Sequence, residues 1–200
     1  SRKFMMLGKG FKMKIVVDIN ETRLNAGRGI GPVLEARDVF EVLEQAPERP
    51  LALEAKALRL SGKLLSLCFA DTPGKKDLDG EETARELLLS GKALAKMREI
   101  IRAQGGHPDV LSNKLTPGKF VYELKAGKHG MISGMNNQQI TVICRILGCP
   151  TDKKAGMYLN RKLEERVDKG DILATIYSSD KWRLKEAAET LKTMPVYAVE

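Results

Sequence analysis

A glycine-rich stretch near the start of the chain has the residue types to bind an anion. Three glycines alternate within residues 25–35, which follow the apolar run Ile15-Val16-Val17 and precede a helical pattern. Glycines permit backbone conformations that side chains forbid, and Pro32 and Glu35 suit the first turn of a helix. A strand, a glycine loop and a helix in this order often place free N–H groups where α/β enzymes bind anions.

The spacing of these glycines leaves two interpretations open. Gly-x-Gly-x-Gly is not the dinucleotide pattern Gly-x-Gly-x-x-Gly, and no Gly-Lys-Ser/Thr follows. A tight turn that lets two backbones pack closely is therefore as good an interpretation as direct contact with a ligand.

Two acidic residues, Asp18 and Glu21, follow the apolar run. Ligands of open α/β sheets bind at the carboxyl ends of the strands, so this pair could serve as an acid and a base. Side chains that cap a loop are the more frequent use of such residues. We favour the capping interpretation.

The chain has little material for a metal site or a catalytic triad. Its two histidines, His107 and His129, lie in predicted loops, and its three cysteines, Cys68, Cys144 and Cys149, include no Cys-x-x-Cys pair. Free thiols in a reducing cytosol are the natural interpretation. We predict no catalytic residue and no metal ligand in this chain.

Composition narrows the class of protein. An apolar content of 42% is that of a globular protein, and neither a membrane span nor a signal peptide is visible. The net charge of +8 would suit a nucleic-acid partner, but basic and acidic residues interleave and aromatics make up only 5%. We therefore expect a cytoplasmic protein with no nucleic-acid or membrane partner. The chain opens at Ser1 rather than Met, and we interpret it as a piece of a longer protein.

The first half of the chain predicts one buried strand and a layer of helices. Residues 14–18 are apolar without alternation, as in a parallel sheet. The helices are predicted at 32–46, 51–69 and 81–104. The second is rich in Leu and Ala nearly all round, which predicts burial, and Gly62 within it predicts a close helix crossing. Residues 107–119 hold Pro, Ser, Asn and Gly, and mark a linker between domains 1–106 and 120–200.

The second half alternates short strands with helices, which predicts an α+β domain. Asn136 is the predicted N-cap of one helix and Gly148 its end, and Asp180 is the predicted N-cap of the other. The helices are predicted to end at Leu147 and Lys192. The strands are predicted at 120–124, 130–134, 157–159, 166–167, 172–177 and 195–199.

Two lysines in this half raise an alternative from another class. The run 151–155 contains Asp152, Lys153 and Lys154 and resembles the modified hairpin of lipoyl carrier domains, and residues 167–173 resemble a second turn of that class. The two occur in the reverse of the carrier order. A lipoyl- or biotinyl-like carrier or binding module is thus the less favoured interpretation.

The same segments, in this order, resemble the thymidine and pyrimidine-nucleoside phosphorylase family. The run 28–37, with its Gly-Pro-x-Leu-Glu-Ala-Arg form, is most similar to the archaeal AMP phosphorylase branch. Residues 90–93 followed by 103–106 resemble part of the family's helical domain. The elements from 129 to 172 resemble its C-terminal α+β domain.

The resemblance implies a fold and a reaction. The fold would be the remnant of an α/β domain with a helical layer, then a C-terminal α+β domain resembling a barrel-sandwich. The family cleaves nucleosides or nucleotides with inorganic phosphate as co-substrate and needs no other cofactor. The AMP branch releases adenine and ribose 1,5-bisphosphate, and thymidine phosphorylase is the alternative within the family. The main phosphate and base sites lie upstream in the family, so this chain alone should be inactive; a homo-oligomer is expected.

Two sets of positions in this chain match binding residues of the family. Lys14 matches a lysine that reaches the nucleotide in the archaeal branch, and Lys12 is its rival because the register is uncertain. Ala26, Gly29 and Asp38 match positions that hold a monovalent cation in some bacterial relatives. The loop departs from theirs around residues 22–24, so we predict no metal here.

Overall fold

The computed structural model describes residues 2–20 and 25–200. The helices among them are α1 (Arg2–Phe11), α2 (Pro32–Leu43), α3 (Leu51–Phe69), α4 (Gly80–Leu89), α5 (Lys92–Ala103), α6 (Asn137–Leu147) and α7 (Lys181–Thr193), with a short 3-10 helix at Ser112–Lys114. The strands are β1 (Gly29–Ile30), β2 (Phe120–Lys125), β3 (Gly130–Met135), β4 (Gly156–Leu159), β5 (Arg166–Val167), β6 (Ile172–Ser178) and β7 (Tyr197–Val199).

The strands form two antiparallel sheets within a mixed α/β structure. One sheet has the order β1-β4-β6-β2 and the other the order β5-β3-β7. The edge strand β1 comes from the glycine loop and pairs with β4, with Gly29 opposite Tyr158. A segment from the first half of the chain thus completes a sheet made otherwise from the second half.

The main core lies between the four-stranded sheet and helices α6 and α7. Its buried side chains include Ile143, Leu147, Met157 and Ile176, none of them measurably exposed. Helix α6 begins where the Asn136 side chain accepts the N–H groups of residues 138 and 139, and ends at Gly148, as predicted.

Helices α2 to α5 form the predicted helical layer, with two corrections. Helix α3 is not buried all round: Leu51, Leu60 and Leu64 are exposed, because only one face of the helix packs on its neighbours. The predicted third helix is two helices, since Gly91 adopts a left-handed conformation that ends α4 before α5 begins. The close crossing at Gly62 is confirmed, because a Cβ there would lie 2.7 Å from the Cα of Glu81.

The predicted strand at 14–18 is wrong. Residues 12–20 are in neither helix nor strand, and Val16 is 54% exposed. A strand needs a hydrogen-bonded neighbour, and no described strand lies beside this segment. The predicted linker 107–119 contains the 3-10 helix, and the assignment of two domains on either side of it stays a prediction. Across the described ranges, no helix is both long enough and apolar enough to span a membrane.

Candidate functional site

The glycine loop is anchored by a carboxylate on the helix that follows it. Asp38 lies on α2, is only 2% exposed, and its Oδ2 accepts the backbone N–H groups of Arg28 at 2.6 Å and Gly29 at 2.8 Å. Gly27 has no side chain because a Cβ there would overlap the same carboxylate oxygen. The apolar spacing along α2 leaves Asp38 on the polar side of the helix, yet the residue is buried because the loop folds back over this position.

Other N–H groups of the loop are also taken by protein atoms. Glu35 Oε1 accepts the N–H of Gly31 at 2.9 Å, and the carbonyl of Lys153 accepts the N–H of Val33 at 3.1 Å. An anion placed at the helix start would meet the carboxylates of Glu35 and Asp38. Of the two interpretations of the glycines, the geometry therefore supports the tight turn.

The other side of the loop faces a lysine that is distant in sequence. Lys162 follows β4, and its Nζ donates to the carbonyls of Asn25 at 3.3 Å and Ala26 at 3.1 Å. Arg28 returns the contact, donating to the carbonyls of Leu159 at 3.2 Å and Asn160 at 3.0 Å. The loop and the segment after β4 thus exchange cation–carbonyl contacts in both directions.

The charge on Lys162 is set by opposing influences. Burial lowers the pKa of this half-buried ammonium, and the nearby Arg28 guanidinium lowers it further. The carboxylates of Asp38 and Glu165 act in the opposite direction and favour the charged form. The Asp38 carboxylate and the Lys162 ammonium therefore both contact the backbone of the glycine loop, where the two halves of the chain meet.

A cleft of about 560 Å³ lies beside the loop. The loop forms one wall, α3 contributes Leu53, Lys56 and Leu60, and the start of α6 contributes Asn137 and Thr141. The lining of the cleft is mostly apolar and includes a few polar residues, as is typical of small-molecule sites.

Lys14 lies on the surface rather than at the start of a strand. Its Nζ forms an ion pair with Asp71, and the two side chains are 58% and 66% exposed. Lys12, which has a positive φ of 54° after α1, lines the same shallow cavity of about 230 Å³ as Lys14 and Lys9. Three lysine residues therefore border one small cavity.

Asp18 is engaged in ion pairs with α3. Arg59 and Lys63 both donate to its carboxylate, the latter at 3.0 Å. The hydrogen bond from Lys63, with the charge of Arg59, lowers the pKa of Asp18. An ionised, paired carboxylate is poorly suited to donate a proton. Glu21, the other member of the proposed acid–base pair, lies outside the described residues.

The remaining candidate residues do not form a catalytic group. Cys144 and Cys149 lie near each other at the end of α6, and the Cys149 thiol donates to the Ala155 carbonyl at 3.0 Å. His129 Nδ1 lies 2.8 Å from an Asp168 oxygen on an exposed turn. Within residues 2–20 and 25–200, no three His, Cys, Asp or Glu side chains come together as a metal site.

The two lysines of the carrier-like hairpin lie in a docked turn. The carbonyl of Lys153 accepts the N–H of Val33, and that of Lys154 accepts the N–H of Gly118 at 2.8 Å. The Asp152 carboxylate accepts the N–H groups of Lys154 and Ser179. A carrier hairpin must present its lysine freely, whereas the backbone of this turn is bound to two other segments.

The roles of Asp38 and Lys162 were not foreseen from the sequence. One feature of the sequence could have indicated the role of Asp38. Asp38 lies one helical turn after Leu34, so both residues are on the same face of the helix, and a carboxylate there can accept N–H groups of the preceding loop. No local signal marks Lys162, since it is 137 residues from Asn25 and their contact depends on the pairing of β1 with β4.

Comparison with known proteins supports the resemblance drawn from the motifs. Residues 131–198 match the family model described as the pyrimidine nucleoside phosphorylase C-terminal domain. The matched region contains β4, β6 and both helices of the main core. The mixed α/β structure with antiparallel sheets agrees with that description.

Full-length relatives extend the similarity to the whole chain. The chain is 36% identical over 200 residues to the AMP phosphorylase of Methanospirillum hungatei. It is 38% identical to that of Methanococcus vannielii and 37% identical to that of Methanocaldococcus jannaschii, again over all 200 residues. The chain spans only 38 to 39% of the length of these relatives.

Proposed function

We propose that this chain is the C-terminal part of an AMP phosphorylase, an enzyme that converts AMP and phosphate to adenine and ribose 1,5-bisphosphate. The observation that supports it most strongly is the similarity of all 200 residues to three enzymes of that name. The match of residues 131–198 to a nucleoside phosphorylase domain agrees. The glycine loop, which carries one of the matching motifs, is the part of this chain nearest the chemistry.

The proposed reaction transfers a ribosyl group from a base to phosphate. A phosphate oxygen forms a bond to C1′ while the bond from C1′ to the base nitrogen breaks, and the base takes up a proton. Such a reaction depends on the positioning of two reactants and on neutralising charge. The groups that bind phosphate and base would lie upstream of this chain, while the anchored loop supports one wall of the site.

Several finer features complete the proposal. Residues 120–200 would form the barrel-sandwich-like domain of nucleoside phosphorylases, and the parent would be a cytoplasmic homo-oligomer. Phosphate would be its co-substrate, with no other cofactor. Thymidine phosphorylase activity is the alternative within the family. Its support is that the matched domain is described as that of a pyrimidine nucleoside phosphorylase.

The activity can be tested with the parent enzyme and this fragment side by side. We expect the parent to release adenine from AMP only when phosphate is present, and the fragment to release none, because the fragment lacks the proposed phosphate site. Chromatography of the free base gives the rate for each. Faster release of thymine from thymidine would assign the parent to the alternative, and turnover by the fragment would refute the placement of the site.

The proposed role of Lys14 predicts a substrate-dependent loss. Removing an ammonium that binds the 5′-phosphate, by Lys14→Ala in the parent, should lower kcat/KM for AMP by a factor equivalent to roughly 1.5–3 kcal/mol. Adenosine has no 5′-phosphate, so its turnover should be spared.

Lys12→Ala is the comparison for this test, because Lys12 borders the same cavity without the ion pair to Asp71. An equal loss for AMP and adenosine would indicate a folding defect. No loss with either substrate would leave Lys14 as a surface residue paired with Asp71.

A further inference from the structure

The glycine loop contains the positions at which some bacterial relatives hold a monovalent cation, so its fit to such an ion can be tested. A cation of this kind is held by several oxygens, often backbone carbonyls, that replace its hydration shell. The matching positions are Ala26, Gly29 and Asp38. Here the Ala26 carbonyl accepts the Lys162 ammonium, and Asp38 Oδ2 is bonded to two backbone N–H groups.

One atom of the group favours an ion, and the others do not. Asp38 Oδ1 is buried and makes no hydrogen bond to any other described residue. A single carboxylate oxygen does not provide the several ligands that a metal ion needs. The positively charged Lys162 ammonium, moreover, already binds the carbonyls of Asn25 and Ala26. A metal ion sharing the Ala26 carbonyl would be repelled by that charge at close range. The loop therefore does not fit a monovalent metal ion.

We infer that the Lys162 ammonium is a built-in cation that takes the place of a bound metal ion and positions the glycine loop. An ammonium has a compact charge and three donors, which suits it to bind backbone carbonyls. It contacts the carbonyls of Asn25 and Ala26, while Asp38 contacts the N–H groups of Arg28 and Gly29. The loop is held by a cation on its carbonyls and by an anion on its N–H groups.

The position of Lys162 makes this arrangement a link between the two halves of the chain. The residue lies just after β4, whose pairing with β1 brings it to the loop. Arg28 makes the reciprocal contacts with the carbonyls of Leu159 and Asn160. In the proposed enzyme, Lys162 is a positioning residue that acts on the site through the loop. Its role in the active site depends on the proposed function, but its contacts do not.

The 200-residue chain itself provides the first test. Its thermal unfolding midpoint is measured in choline chloride and in potassium chloride at equal ionic strength, about 100 mM. We expect the same midpoint in both for the natural sequence. A saturable rise in potassium alone would mean that a metal ion binds the loop, and would overturn the inference. This comparison needs no variant and so does not depend on whether a variant folds.

Lys162→Ala supplies the second test, because it removes the charge and leaves room at the two carbonyls. Its midpoint in choline should fall by roughly 3–6 °C. Methylammonium or potassium should restore about half of that loss by occupying the vacated place. Lys153→Ala is the matched control, since Lys153 is an exposed lysine that donates to one backbone carbonyl, that of Pro150 at 3.0 Å.

The control should show neither the fall nor the cation response. An unchanged midpoint in Lys162→Ala, or a fall that no cation restores, would refute the role of Lys162. All these measurements are independent of catalysis. If the parent failed to phosphorolyse AMP, the proposed function would be refuted, but the result of the cation test would still apply to the loop.

Discussion

Replacing Asp38 with alanine should lower the free energy of unfolding by about 3–5 kcal/mol. The change removes a buried carboxylate and leaves the N–H groups of Arg28 and Gly29 without their acceptor. It also leaves the Lys162 ammonium without the charge nearest to it on α2. Urea unfolding of the 200-residue chain followed by circular dichroism measures the loss.

Two further variants separate the causes of this loss. Asp38→Asn keeps an acceptor for the two N–H groups but removes the charge, and should cost about 1–2 kcal/mol. Glu41→Ala removes a carboxylate one turn further along α2 that pairs with Arg37 at 3.7 Å, and should cost less than about 1 kcal/mol. A loss in Asp38→Ala no larger than in Glu41→Ala would mean that Asp38 does not anchor the loop.

The second large effect is expected for Gly31→Ala, at about 3–5 kcal/mol. Gly31 has φ 110° and ψ 153°, a region that only glycine adopts without strain. A methyl group there would also overlap the carbonyl oxygen of Ala155 and lie 3.0 Å from the Cα of Gly156. Gly156 begins β4 and Ala155 immediately precedes it, so the substitution should break the pairing of β1 with the sheet.

Gly74→Ala is the matched control for Gly31→Ala. Gly74 also has a positive φ, 74°, but a Cβ added there meets no atom within 4 Å. The control therefore measures the backbone strain of alanine alone, about 1–2 kcal/mol. The difference between the two variants measures the contact with β4 together with the additional backbone strain at Gly31, and equal losses would show that neither contributes.

Elements set by local signals were predicted well from the sequence. Helix α3 has the predicted bounds of Leu51 and Phe69, because Pro50 precedes it and a Pro-Gly turn follows. Helix α6 has its predicted cap and its predicted end because Asn136 and Gly148 act within a few residues of themselves. The strand order and the partner of each strand, by contrast, depend on residues far apart in the chain.

The candidate site shows the same division. The glycine loop and the helix after it were visible as a local pattern, and this pattern is one of the several motifs on which the resemblance to the phosphorylases rests. The run 14–18 has the composition of a buried strand, yet Val16 is exposed and Ile15 and Val17 are only half-buried, because no described strand lies beside the run. Lys162 was missed because its partners are 136 and 137 residues away. Composition indicates which secondary structure a segment favours, but whether that structure forms depends on the segments that pack and hydrogen-bond against it.

The pairing of β1 with β4 has a consequence for the order in which the molecule assembles. Helices α2 to α5 pack on close neighbours in the chain, so they can form early at little entropic cost. The edge strand must wait for β4, and closing so long a loop is unfavourable until the other strands of the four-stranded sheet exist to receive it. On the ribosome, the glycine loop would therefore emerge before β4 and stay unpaired until β4 had been made. A chain that stalls before β1 pairs with β4 would have its local helices but would lack the contacts that support the glycine loop.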